Sequence, residues 1–177
     1  MRPSWQRLHG VFAGRGRRLQ RRARWDRAAI EEGCKLLDRA MRHGRPGPYQ
    51  LQAAIAACHA QARTADDTDW CEIVLLYERL SKIVPTPVVL LNRAVAVAMV
   101  DGPAAGLALL VELEQAEALS GYYLLPATRA DFLRRLTRYS EAQTAYREAL
   151  ALAPTDAERR FLHRRLSELA PPTLDAR

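Results

Sequence analysis

Residues 129–154 read RADFLRRLTRYSEAQTAYREALALAP. Within them Ala130, Leu133, Ala142, Tyr146, Ala149 and Pro154 mark two helices and a stop. The small residues fall where two antiparallel helices must touch, Tyr146 stands where an aromatic fills the gap to the next hairpin, and Pro154 cannot continue the second helix. The segment therefore predicts a helical hairpin that stacks on a similar neighbour.

Working outward, Tyr77, Leu80 and Pro85 repeat the offsets of Tyr146, Ala149 and Pro154, and Ala94, Val97, Gly106, Leu110 and Leu113 form a degenerate middle copy. This is the spacing of a tetratricopeptide-like array, so the expected fold is all-α: about eight helices in antiparallel hairpins stacked as a right-handed array. No strand pattern occurs. The first helix is expected from about Asp26, a good N-cap, to about Arg42, with Ile30, Cys34, Leu37 and Met41 on one face. Pro48 opens a second helix that runs to about Ala62, and Thr64 to Thr68 form a polar loop. Asp69 is expected to cap a third helix with Trp70, Ile73, Val74, Tyr77, Leu80 and Val84 on its stripe, ended by Pro85-Thr86-Pro87. A fourth runs from about Val88 to Asp101, and Gly102-Pro103 starts a fifth that buries Leu107, Leu110 and Leu113. Pro126 removes a donor from the sixth helix, which either begins near Leu125 or is kinked. Tyr139 to Ala153 and Thr155 to Leu169 complete the set, the last opened by the capping-box pattern Thr155-Asp156-Ala157-Glu158.

The net charge is +7 over 177 residues, yet residues 1 to 24 hold eight arginines and no acid, which leaves the remainder near −1. The basic character belongs to an arm, residues 1–23, expected to be disordered. Its Arg15, Arg17, Arg18, Arg21 and Arg22 are candidates for non-specific contact with a polyanion such as nucleic acid. A helical domain over 24–170 and a disordered tail over 171–177 follow. Apolar runs are too short to cross a bilayer and no secretory segment stands out, so a cytoplasmic location without a membrane partner is expected. Cys34, Cys58 and Cys71 are odd in number and read as small core residues.

Catalysis needs a nucleophile or carboxylate pair near a base, or ligands at metal spacing. Cys58-His59 is the nearest approach, but adjacent helical residues point about 100° apart and no second ligand pair accompanies them. Asp66, Asp67 and Asp69 lack the glycine and distal glutamate of a calcium loop. No enzyme activity, metal or cofactor is expected. The candidate surface is instead a groove lined by the first helix of each hairpin, where polar residues interrupt apolar helices: Gln50, Gln52, Asn92, Arg93, Arg129 and Asp131. These suit a peptide, through charge-assisted hydrogen bonds, or they satisfy one another inside the array.

Several runs carry a family likeness. Arg24-Trp25-Asp26-Arg27, the stretch from Gly44-Arg45-Pro46-Gly47-Pro48-Tyr49-Gln50-Leu51-Gln52 to Ala57, Thr68-Asp69-Trp70, Asn92-Arg93-Ala94-Val95-Ala96-Val97, Arg129-Ala130-Asp131 and Glu158-Arg159-Arg160-Phe161-Leu162 resemble the C-terminal helical extension of extracytoplasmic-function sigma factors. The resemblance spans about residues 24 to 169. It implies a regulatory interaction module in transcription initiation, with RNA polymerase or sigma-factor domains as partners. The promoter- and core-binding domains of that family are expected to be lacking, because residues 1–23 cannot stand in for them. An incomplete array with an exposed end also predicts a homodimer.

Overall fold

The computed structural model of the chain describes residues 25–42, 44–116 and 119–169. These residues form eight α-helices and no strand, and sequence-adjacent helices pack on one another within each of two compact units, residues 1–69 and 70–177. The fold is all-α, as the helical periodicity requires. The basic arm with Arg15, Arg17, Arg18, Arg21 and Arg22, and the tail over 171–177, lie outside the described residues.

The first unit contains α1 (Arg27–Met41) and α2 (Pro48–Gln61). Asp26 caps α1, its carboxylate accepting the Ala29 N–H at 3.0 Å. Pro48 opens α2 at a position where a missing N–H costs nothing. The Arg27 guanidinium at the start of α1 donates to the Ala60 carbonyl near the end of α2 at 3.2 Å, which fixes the pair as antiparallel. The predicted face of α1 is correct but thinly covered: Ile30, Cys34, Leu37 and Met41 are half-buried and no α1 residue is fully buried. Leu51 and Ile55 are the buried residues of α2. The loop that follows is held by Asp67, whose carboxylate accepts from the Thr64 N–H at 2.9 Å and the Thr64 hydroxyl at 2.8 Å.

The second unit contains α3 (Trp70–Ile83), α4 (Pro87–Val100), α5 (Pro103–Gln115), α6 (Leu124–Arg135), α7 (Tyr139–Leu152) and α8 (Asp156–Ser167). Thr86 caps α4 and Pro87 follows it as the first helical residue. The capping box of α8 is complete: Thr155 accepts from the Glu158 N–H while Glu158 reaches back to Thr155. The choice left open at Pro126 is resolved by an early start. Helix α6 begins at Leu124, so Pro126 sits in the first turn, where its N–H would have had no intrahelical acceptor.

The two hairpins α4/α5 and α6/α7 repeat each other at an interval of 36 residues. Ala94 and Ala130, Val97 and Leu133, Gly106 and Ala142, Leu110 and Tyr146, Leu113 and Ala149 occupy matching places, and all ten are buried. The second set forms one cluster with Ala145, Ala153 and Leu162. In the first set Gly106 is obligatory for space: a Cβ there would stand 2.5 Å from the Ala98 Cβ, 2.8 Å from Phe132 and 2.9 Å from the Ala94 carbonyl oxygen. The close crossing of α5 on α4, with α6 closing over it, depends on that absent methyl group. Between α6 and α7 the chain reverses through Thr137, which adopts a left-handed φ of 61°. There the Arg138 N–H donates to the Leu133 carbonyl at 2.9 Å and the Thr137 N–H to the Arg134 carbonyl at 3.0 Å, closing the end of α6 in the Schellman pattern.

Two expectations about apolar faces are corrected. Cys71 is exposed on α3, and Cys34 and Cys58 are only half-buried, so none of the three is a core residue. The core stripe of α3 runs through Ile73, Leu76 and Leu80 rather than including Val74, Tyr77 and Val84, which are half-buried, and Leu76 was absent from the predicted stripe. The face turned fully inward is narrower than hydrophobicity alone suggests, since Val and Tyr tolerate a boundary position.

Candidate partner-binding surface

The six candidate residues divide between the units and behave differently. Gln50 and Gln52 lie half-buried on α2 in the first unit. Asn92 and Arg93 are half-buried on α4, and Arg129 and Asp131 on α6.

Arg129 is fully engaged within the chain. One terminal nitrogen donates to Glu114 of α5 at 2.9 Å and the other pairs with Glu148 of α7, so a single guanidinium bolts three helices together. Its planar fork suits two separate carboxylates in a way a lysine would not. Asp131 accepts from Arg134 one turn later at 2.6 Å, and it lies close enough to Tyr146 to act on that phenol. Burial first, and then the Asp131 charge, push Tyr146 above its ordinary pKa. For both α6 residues, then, the internal reading of polar groups in a helix array describes the geometry.

Arg93 presents a different environment. It stands 36 residues before Arg129, at the same place in its hairpin, and is half-buried. Its Nε is buried without a hydrogen-bond acceptor. The acidic pattern around it also recurs in sequence: Glu78, Arg93 and Glu112 precede Glu114, Arg129 and Glu148 by the same interval. The recurrence does not become a second bridge. Helix α3 continues five residues past Glu78, whereas α5 continues only one past Glu114, so Glu78 is set back from the helix end and pairs with Lys82 at 3.4 Å instead. Glu112, the counterpart of Glu148, is exposed as Glu148 is, yet it makes no ion pair with Arg93.

Farther along, Arg165 of α8 extends the same 36-residue series. It is 8% exposed, donates to Glu168 at 2.9 Å and lies over the Phe161 ring at 5.6 Å. Glu158 has two tasks, capping α8 and accepting the Tyr123 hydroxyl at 2.7 Å. Burial first, and then this hydrogen bond, raise the Tyr123 pKa far above its ordinary value. Reading residues singly missed Glu114, Glu148 and Arg165; the signal that finds the two glutamates is the repeated Glu-to-Arg spacing of 15 and Arg-to-Glu spacing of 19, and Arg165 follows from the 36-residue interval.

Among the described residues no three His, Cys, Asp or Glu side chains gather as metal ligands, and no helix is long and apolar enough to cross a membrane.

The chain is 48% identical over 151 residues to an uncharacterized protein of Rhizobium meliloti (strain 1021), a match that covers 85% of this chain and 35% of that protein. The chain thus spans about a third of the length of the curated relative it matches. No family model and no solved structure matches it.

Proposed function

We propose that the chain is a non-catalytic protein-interaction and regulatory module built from tetratricopeptide-like hairpins, akin to the C-terminal extension of extracytoplasmic-function sigma factors. It acts in the cytoplasm, in the context of transcription initiation, with RNA polymerase or sigma-factor domains as its partners. The observation that carries this reading is the 36-residue recurrence that buries the same five positions in α4/α5 and in α6/α7. Stacked repeats of this kind bury a continuous core and leave one extended surface for a partner. The resemblance of the runs between Arg24 and Leu162 to that extension supports the sigma-factor context. A matching stretch that forms about a third of a longer protein fits an extension joined to other domains.

The test is capture from a lysate of the native host with the full chain immobilised, alongside an Asn92→Ala, Arg93→Ala double variant. Polymerase or sigma subunits retained by the first bait and lost from the second support the reading. If a correctly folded bait retains neither, the transcription-linked role falls.

A second reading, nucleic-acid association through the arm, rests on the concentration of eight arginines in residues 1–24. Removing residues 1–23 should then abolish salt-dependent polyanion binding while leaving partner capture intact. Polyanion binding that survives the deletion would exclude the arm as its source.

A further inference from the structure

The strongest internal contrast in the molecule is between two arginines at the same repeat position. Arg129 is surrounded by acceptors from α5 and α7. Among the described residues Arg93 makes no ion pair, and its Nε donor is buried with nothing to accept it. Arg134 also has an unmet buried Nε, but its guanidinium is already neutralised by Asp131. A buried donor without an acceptor is destabilising, and a guanidinium with no ion pair keeps its terminal nitrogens, the two that hold carboxylates in Arg129, open to an anion from outside the chain. What fits is shown by the neighbouring repeat, where the same guanidinium at the same place takes carboxylates.

We propose that Arg93 is a receptor for a carboxylate supplied by a partner polypeptide, which enters the place that Glu114 and Glu148 occupy around Arg129 one repeat later. The inference rests on the interaction-module reading and narrows it: of the two arginines singled out on α4 and α6, only the first is open to a ligand. The own-chain carboxylates at the matching repeat positions make no ion pair with Arg93. Glu78 is held by Lys82, and Glu112 is exposed to solvent rather than paired with Arg93. The ligand contributes an aspartate or glutamate side chain, or a chain terminus. The bond is an ordinary charge-assisted hydrogen bond, with the N–H groups of Arg93 donating to the carboxylate oxygens.

The experiment uses the full chain and three sets of randomised hexapeptides: a fixed central Glu with both ends blocked, a central Gln with a free C-terminal carboxylate, and a central Gln with both ends blocked. Binding is measured by fluorescence anisotropy on pools and then on single peptides, and the Arg93 Nε–H resonance is followed by NMR. Arg93→Gln and Glu112→Gln variants are run beside the parent after circular dichroism confirms that each is folded. The expected result is that one acidic set binds at least about tenfold tighter than the blocked Gln set, shifting the Nε–H resonance. That preference should vanish in Arg93→Gln and persist in Glu112→Gln. Which acidic set wins tells a side chain from a terminus. A preference that survives Arg93→Gln overturns the proposal, and so do equal losses of stability in the two variants that fail to add in the double variant Arg93→Gln, Glu112→Gln, which would mean that Glu112 fills the site. Peptides that bind without regard to charge would sink the receptor but leave the module reading standing. A folded chain that binds no peptide of any set counts against both.

Discussion

The α6/α7 hairpin and the α1/α2 pair are both two antiparallel helices, yet they are held together differently. In α6/α7, Ala130, Ala142 and Ala149 let the backbones approach, Tyr146 fills the remaining space, and Arg129 ties the hairpin back to α5. In α1/α2 the fully buried helical residues are Leu51 and Ile55, both on α2, while no residue of α1 is fully buried and Leu36 is 57% exposed. The lesson is that an amphipathic pattern is enough to make a helix, but small residues at the crossing and one large residue between them make a tight hairpin.

The sharpest way to break this comparison is to empty its best-packed point. Tyr146→Ala removes a ring buried among Ala142, Ala149 and Leu162 and should cost about 4 kcal/mol, whereas Leu37→Ala on half-covered α1 should cost about 1 kcal/mol. Urea denaturation of each variant checks the ratio, and similar losses at the two sites would contradict the contrast.

A smaller effect is expected from adding one methyl group. Gly106→Ala gains helix propensity but drives a Cβ into Ala98, Phe132 and the Ala94 carbonyl, so a net loss of about 2 kcal/mol is expected from overpacking. The companion change Gly33→Ala on α1 meets nothing within 4 Å and should leave thermal stability unchanged or slightly raised.

Next in size is the arginine bridge. Arg129→Met strands Glu114 and Glu148, but all three side chains are partly solvated, so screening limits the loss to about 1 kcal/mol. Arg93→Met should be near neutral or stabilising, because it removes an unmet buried donor at no cost in ion pairs. A double-mutant cycle between Arg129 and Glu148, beside the same cycle between Arg93 and Glu112, measures the difference directly.

The mildest test is alkaline pH. Burial raises the Tyr77 phenol from 10.0 to about 12, so the folded state holds that proton where the unfolded chain has lost it. The resulting stabilisation is complete below pH 10 and is lost as pH rises from 10 toward 12. Tyr77→Phe should flatten part of that decline in a series of melting curves, leaving the part due to Tyr123 and Tyr146, which are also raised.

The helices were legible because their stops are chemical: Asp26, Pro48, Thr86 with Pro87, Gly102 with Pro103, and the Thr155/Glu158 box act within one turn of the chain. The small-residue spacing from Ala130 to Ala149 likewise led to a cluster that is buried. Less could be read where the answer depends on a partner elsewhere in sequence. Arg129 and Asp131 look like groove residues until Glu114, Glu148 and Arg134 are placed beside them. Cys71 looks like core until α3 is seen to turn Ile73, Leu76 and Leu80 inward instead. Helix ends are set by neighbours in the chain, whereas the fate of a polar side chain is set by neighbours in space.

The reversal at Thr137 also bears on how quickly the chain can organise itself. Only Leu136, Thr137 and Arg138 separate α6 from α7, so the contacts of the best-packed hairpin join residues near each other in sequence and little loop entropy is lost in closing it. A β-branched residue at φ 61° makes that closure dearer than glycine would. Dense burial and short sequence separation thus coincide in this hairpin, which favours its early closure on refolding.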